Sequence, residues 1–484
     1  MAITTVLQYL YLSANPATLL VTLLASLLWT CIYRLFFHPL SKVPGPPLAA
    51  CTSLWLAYHT YVGDECTVVH ALHKKHGPVL RVGPNDVDIS DGEAVAPIYL
   101  DRGGFQKARA YSKFDIDGRP TIFSTLTTAE RAHRAKAVVP LFSTAAIRNS
   151  SHVLSTVVDE FVARLQREAR TGRPVNVLNL TRCMAVDAVS SYLFQRNYGG
   201  IAEDASEMSA SAFVDAYVGV GAFFNIPGKI GDVVMHVVDY LTSTERTAKS
   251  FKAVDDYVHK LIGSAAPGSY PRRLLERSVA KDQTMIECKD LIFAGSDSTG
   301  MNTATILWYL ARNPDVYARL RQEVLERKEN GEDVSAGPYL RGVVREGLRL
   351  SWANPIRLPR VVPEGGWSFK GFYFPPGTNV GVSSWELHRD ERVFPDADRF
   401  LPERWLDPTD EMLRNFFAFG KGSRACIAQN LGSAELALAT QKVAEADALK
   451  GARALRDKIE IYEWFNSRVK DERIELVWDI TASG

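Results

Sequence analysis

The sequence predicts a mainly α-helical protein with small β-sheets, a single large domain preceded by a transmembrane helix. Three observations predict it. Residues 17–37 form an almost unbroken apolar run, helical periodicity dominates from about residue 128 to 350, and short β-type runs broken by glycine and proline flank that block. The chain has 484 residues, 46% hydrophobic and 23% charged, with net charge +1. That balance belongs to a globular protein with a sizeable core. No basic block or zinc-finger spacing occurs, so nucleic acid is not an expected partner.

The first element is ATLLVTLLASLLWTCIYRLFF, Ala17 to Phe37, in which Arg34 is the only charge. About 20 apolar residues span a bilayer core. A cleaved leader carries its charge before a shorter apolar run. Here Arg34, His38 and Lys42 follow the run, and the positive-inside tendency then leaves the rest of the chain in the cytosol. Residues 1–37 thus read as a single-pass anchor segment with membrane lipid as its partner, and the sequons at Asn149 and Asn179 would go unused. The following HPLSKVPGPP, residues 38–47, is too rich in proline for a helix and predicts a stiff, extended hinge.

Residues 48–484 read as one domain, without internal repeat, low-complexity tract or linker. Val79–Val82 and Asp86–Ile89 look like strands around Gly83-Pro84. Helices are expected over Ser151–Arg170, Val177–Phe194, Ser206–Phe224, Thr242–Ile262, Asp282–Arg312 and Pro314–Lys328, the last two separated at Asn313-Pro314. Residues 355–385 turn to prolines, glycines and short β-type runs. A last helix follows Cys426, and Arg473–Trp478 reads as a strand.

The six cysteines (Cys31, Cys51, Cys66, Cys183, Cys288, Cys426) are scattered, with no CxxC pair, so neither a disulfide framework nor a cysteine-rich zinc site is expected. One setting stands apart: FAFGKGSRACIAQ, Phe417 to Gln429. The plain reading is a tight turn with a small buried thiol. The sharper one is a metal-ligating thiolate. A haem iron would need that thiolate stabilised, and a helix N-terminus beginning at Cys426 would supply partial positive charge and free N–H groups. Gly420 and Gly422 would let the backbone turn and approach a flat macrocycle. Arg424 could reach a haem carboxylate, and Phe419 could cover the sulfur side of the ring.

A second segment, LIFAGSDSTGMNTATILWYL, is a long apolar helix interrupted by Gly295, Asp297, Ser298 and Gly300, all indifferent or poor helix formers. A Ser298 or Thr299 hydroxyl bonding back to a carbonyl would open the helix and leave a groove for O2. Asp297 and the hydroxyls could then relay protons. Read plainly, Asp297 is an ordinary satisfied helix acid.

Taken together, Phe419-Gly420-x-Gly422-x-Arg424-x-Cys426-x-Ala428 resembles the haem-binding loop FxxGxRxCxG of the cytochrome P-450 superfamily, with alanine for the final glycine. Residues 294–299, AGSDST, are similar to the family's (A/G)Gx(D/E)T(T/S), with Ser298 where threonine is usual. Glu346-Gly-Leu-Arg349 matches ExxR, and Phe400-Leu-Pro-Glu-Arg404-Trp is similar to the PERF segment.

The resemblance, which covers residues 17–484, implies the cytochrome P-450 fold and haem b ligated by Cys426. It implies a buried network of Glu346, Arg349 and Arg404 beneath the loop, and a propionate contact from Arg360. Arg131 is the aligned second propionate contact, on a helix where His133, Arg134 and Lys136 compete for the role and where a solvated basic face is the plain reading. Asp297, Ser298 and Thr299 would deliver protons. The implied activity is a haem-thiolate monooxygenase acting on an apolar small molecule. Electrons would come from a separate NADPH-cytochrome P-450 reductase, since the chain carries no dinucleotide fingerprint. The style of FFHPLSKVPGPP is similar to fungal members anchored in the endoplasmic reticulum membrane, many of which oxidise secondary-metabolite intermediates. Two rivals keep the haem: an isomerase- or dehydratase-like member, and a non-catalytic haem-binding membrane protein. Asp297 and its neighbouring hydroxyls argue against both. The polar stretch 441–450 departs from the family's aromatic-containing helix end.

Overall fold

The computed structural model describes residues 16–203, 208–228, 231, 233–235, 237–238 and 244–479. Helix α1, Pro16–Ile32, continues through a π turn to Phe37. This 22-residue apolar helix is long enough to cross a membrane, and the body of the protein buries none of it.

The connector after it is not extended. Ser41 N–H donates to the His38 carbonyl and Val43 N–H to the Leu40 carbonyl, so residues 38–46 fold into turns. The cause is packing: Leu40 and Val43 are buried with the β-sheet, and the buried Arg81 donates to the carbonyls of Arg34, Leu40 and Pro84. A buried guanidinium that donates to carbonyls at the end of α1, in the connector and at Pro84 ties the connector to the domain.

Arg81 lies on β1 (Val79–Gly83), which pairs antiparallel with β2 (Asp86–Ile89), as the sequence predicts. The sheet is completed by β3 (Gln106–Lys107), β4 (Arg360–Val361) and β5 (Asn379–Gly381), in the order β1-β2-β5-β4-β3. The β2–β5 pairing is parallel and the rest antiparallel. The register of β3 on β4 sets Lys107 opposite Arg360.

The helical body includes α2 (Thr128–Val138), α3 (Ser151–Ala169), α4 (Val177–Val189), α5 (Lys281–Arg312), α6 (Pro338–Leu350), the short α7 (Ser384–His388) and α8 (Gln429–Glu445). The expected helix to Phe194 ends in a π turn, Ser190–Phe194. The one expected from Ser206 begins at Ser211, and Ser206 lies outside the described residues. The one expected from Thr242, also outside them, runs from Glu245 to Gly263 under a Thr244 cap.

Helix α5 crosses the core and packs closely on α4. A Cβ at Gly295 would lie 2.6 Å from Val189 Cγ2, and one at Gly300 2.6 Å from Arg182 Cγ. These glycines therefore serve helix–helix approach, and α5 stays α-helical through the whole segment that was expected to open.

The chain's last part closes a second sheet. Glu475–Trp478 pairs with Val175–Asn176 on one side and Ala452–Ala454 on the other. The polar end of α8 follows from its position. Val443, Ala444, Ala448 and Leu449 face inward, while Lys442 and Glu445 pair outward with Asp159 and Lys328. Trp478 Nε1 then donates to the Ala448 carbonyl at 2.9 Å.

Candidate active site

The loop before α8 is shaped by two left-handed glycines, Gly420 (φ 65°) and Gly422 (φ 75°). They do different things. Gly420 faces a cavity, where a Cβ would find only ordinary contact with Leu358 at 3.6 Å. Gly422 is pressed on the Tyr99 carbonyl, which leaves no room for a side chain. Of the two, Gly420 is the one that lines the cavity.

Between them and α8, the Cys426 N–H donates to the Phe419 carbonyl at 2.9 Å, which keeps the cysteine in the loop. The helix begins at Gln429, three residues later than expected. Cys426 is exposed and lines the cavity. Burial pushes the thiol up and the Ala428 N–H pulls it back, the former prevailing. The protein alone therefore favours the thiol, and a thiolate here calls for a bound cation.

The cavity measures about 280 Å³. Cys426 and Phe419 line it on the α8 side, and Ser298 and Thr299 on the α5 side. Four cations share the lining: Lys107, Arg131, Arg360 and Arg424. None of them makes an ion pair among the described residues. Their partners are neutral: Lys107 Nζ donates to the Phe123 carbonyl at 2.7 Å, Arg360 Nη1 to the Tyr111 hydroxyl at 3.0 Å, and Arg424 to the carbonyls of Phe123, Thr125 and Leu126. Burial first, and mutual repulsion second, hold Arg424 down at about 10 and Lys107 well below its ordinary value. Desolvated, unpaired cations on one wall fit an anionic group within the cavity. The two carboxylates of a haem, beside a free cysteine on the same cavity, meet that requirement.

Helix α2 offers its basic side chains unequally. Arg131 lines the cavity. Arg134 instead pairs with Glu287 at 2.8 Å, His133 donates to the Arg277 carbonyl at 2.8 Å, and Lys136 is exposed.

On α5, Ser298 Oγ donates to the Ala294 carbonyl at 2.7 Å. Asp297 does not line the cavity. Its carboxylate pairs with Arg182 of α4 at 2.6 Å, and Arg182 also reaches Asp215 at 3.2 Å. Burial raises the Asp297 carboxyl and Arg182 opposes that. Thr299 Oγ1 donates instead to Glu435 Oε2 at 3.2 Å. Glu435, on α8, lines the cavity, its Oε1 has no partner, and burial pushes it up to about 8.

Below the loop, Glu346 and Arg349 of α6 are fully buried. Glu346 accepts from Arg349 Nε (2.9 Å) and Nη2 (2.8 Å), Arg404 Nε (3.1 Å), Trp405 Nε1 (2.8 Å) and the Leu401 N–H (3.0 Å). Both carboxylate oxygens are saturated, the condition under which a buried charge is tolerated.

The sequence model of the cytochrome P-450 family matches residues 43–445. The chain belongs to the cytochrome P-450 family. It is 37% identical to cytochrome P-450 monooxygenase mfmF of Annulohypoxylon moriforme, over 96% of this chain and 99% of that protein. It is 30% identical to cytochrome P-450 monooxygenase tazI of Aspergillus terreus (89% and 91%), and 29% identical to the fusicoccadiene C-8 hydroxylase of Alternaria brassicicola (87% and 86%). The fold is that of a cytochrome P-450 with an N-terminal apolar helix, and the protein is a haem-iron oxidoreductase that incorporates molecular oxygen.

Of the cavity-lining groups, sequence reasoning missed Lys107, Glu435, Asp290 and His388. Glu435 alone left a trace, as a carboxylate within the apolar sequence Ala434-Glu435-Leu436-Ala437-Leu438. Lys107 reaches the site through strand register, which composition does not encode.

Proposed function

We propose that this cytochrome P-450 holds haem b through the Cys426 sulfur and inserts one oxygen atom into an apolar small molecule, a fungal secondary-metabolite intermediate. The observation that carries the reading is the single cavity shared by Cys426, Ser298, Thr299 and four unpaired cations. A thiolate-ligated haem iron, when bound, activates molecular oxygen by favouring O–O cleavage.

The chain's own residues do the rest. Arg131, Arg360 and Arg424, with Lys107, bind the haem carboxylates. Gly420 leaves the loop flat, Gly422 seats it on the Tyr99 carbonyl, and Phe419 covers the sulfur side. Glu346, Arg349 and Arg404 keep the underlying chain rigid. Thr299 Oγ1 and Glu435 hold a proton within reach of the cavity, and the back-bonded Ser298 hydroxyl lies one residue away. Asp297 acts at one remove, fixing this part of α5 through Arg182.

The apolar lining contributed by Ile122, Phe293, Trp352 and Phe465 supports an apolar substrate, as does the name of the relative that hydroxylates fusicoccadiene. An NADPH-dependent reductase supplies the electrons. Helix α1 anchors the 48–484 catalytic domain, through the 38–47 connector, on the cytosolic face of the endoplasmic reticulum membrane.

The test is turnover of the holoprotein with that reductase, NADPH and isotopically labelled oxygen over a panel of apolar fungal metabolites. Product carrying one labelled atom supports the reading. Rearranged product without label, or none with any candidate, favours an isomerase-like or a non-catalytic protein.

A further inference from the structure

His388 ends α7, is fully buried, and has taken no part in the proposed chemistry. Both ring nitrogens are engaged. Its Nδ1 lies 3.1 Å from the Arg349 carbonyl, and the Phe417 N–H lies 2.9 Å from its Nε2. A carbonyl only accepts and an N–H only donates, so the ring is neutral with its proton on Nδ1. Burial and the nearby Arg349 guanidinium agree, holding His388 down at about 3. Arg349 Nη1 donates back to the His388 carbonyl at 2.7 Å. The ring also stacks on Phe416, with centroids 5.7 Å apart and planes 18° apart.

These bonds form a continuous line. Glu346 holds Arg349, Arg349 and His388 exchange bonds, and His388 holds the N–H of Phe417, the first residue of the FAFGKGSRAC stretch. The Phe417 carbonyl accepts from Gly420, and the Phe419 carbonyl from Cys426. In no other bond does a side chain of the Glu346 cluster or its immediate partners reach that loop among the described residues.

We propose that His388 is a positioning residue that ties the buried Glu346–Arg349–Arg404 network to the cysteine loop and thereby fixes where Cys426 presents its sulfur. The inference rests on Cys426 being the haem ligand. The part of the ring that matters is Nε2, because the Nδ1 bond stays within the network while the Nε2 bond leaves it. Outer hydrogen bonds of this kind hold a metal ligand in place, and their loss commonly costs ~10–100-fold in the property they support.

The test compares His388→Gln, His388→Asn and His388→Phe in the haem-loaded full chain. The Gln carbonyl reaches the Nε2 position and can still accept from Phe417. Asn reaches only the Nδ1 position, and Phe keeps the stack with neither bond. The readouts are the rate at which the reduced, CO-bound protein loses its thiolate-type Soret band, and the thermal midpoint from far-UV circular dichroism. The expected result is loss roughly tenfold faster in the Asn and Phe variants, near wild-type behaviour for Gln, and closely similar midpoints for Gln and Asn. Equal rates in Gln and Asn, or a Phe variant as persistent as wild type, overturn the proposal. Should Phe not fold, the Gln–Asn comparison decides alone. A wild-type protein with no thiolate-type band at all would instead overturn the ligand assignment itself, and this inference with it.

Discussion

Glu435 lines the cavity, and burial pushes its carboxyl up. Its folded-state value of about 8 exceeds the ordinary 4.5, so between those values the folded protein holds a proton that the unfolded chain has released. Stability therefore falls as pH rises from about 4.5 through 8. Glu435→Gln, which cannot ionise, should lose less stability than wild type between pH 5 and 8, as measured by denaturant midpoints at several pH values. Identical pH profiles would mean that the carboxyl finds a partner when it ionises. The cations make a sharper case. Arg131→Gln should lower haem retention by about tenfold, the value of one charge-assisted hydrogen bond, with little change in the stability of the apoprotein. Arg134→Gln should do the reverse, because it takes the ion-pair partner from buried Glu287; haem titration and apoprotein melting separate the two. Cys426, Arg424 and Gly420 were legible in the sequence because each sits at fixed spacing in one loop. Choosing among the basic side chains of α2 was not possible there, since Arg131, His133, Arg134 and Lys136 lie within six residues and only the rotation of the helix decides which one enters the cavity.

At the scale of elements, the long helices were legible nearly end to end, and for physical reasons. Ser151–Ala169 and Pro314–Glu329 have regular apolar faces and stops, and those features survive any tertiary context. The AGSDST segment was harder. Its weak helix formers predict an opening, but Gly295 and the adjoining Gly300 lie where α4 comes close. The same composition serves both purposes, and only the neighbour discriminates. Gly300→Ala tests this: its Cβ would lie 3.0 Å from the Arg182 backbone and 2.6 Å from its Cγ. The substitution should cost about 1–3 kcal/mol by overpacking and loosen the Arg182–Asp297 pair, read by thermal unfolding. A neutral or stabilising effect, as expected of glycine to alanine in an open helix, would show that the approach is not tight. The sequence predicts the start of α8 three residues early because the glycine-rich loop gives no cue to where its return bond, Cys426 N–H to the Phe419 carbonyl, releases the chain into helix.

For the whole molecule, the N-terminal apolar helix, the mainly α body and the small sheets follow from length, hydropathy and periodicity. The connector does not. Its prolines predicted an extended rod, while its function as a clamp depends on Arg81, nearly forty residues downstream of Pro44. Removing residues 1–33 should release the protein from membranes and leave its melting temperature close to wild type. Cutting further, past Leu40, removes a fully buried leucine and strips carbonyls from Arg81, and should destabilise by roughly 2–5 kcal/mol. Equal stability of the two truncations would assign the connector to the membrane segment rather than to the domain. Beneath all of these lies one claim, that Cys426 ligates a haem iron. The most direct measurement is the absorption spectrum of the reduced, CO-bound holoprotein, in wild type and in Cys426→Ala. A Soret band strongly red-shifted from that of histidine-ligated haem, lost in the variant, is the predicted result. Folded, haem-loaded wild type without the shifted band, or a variant that retains it, would contradict the claim.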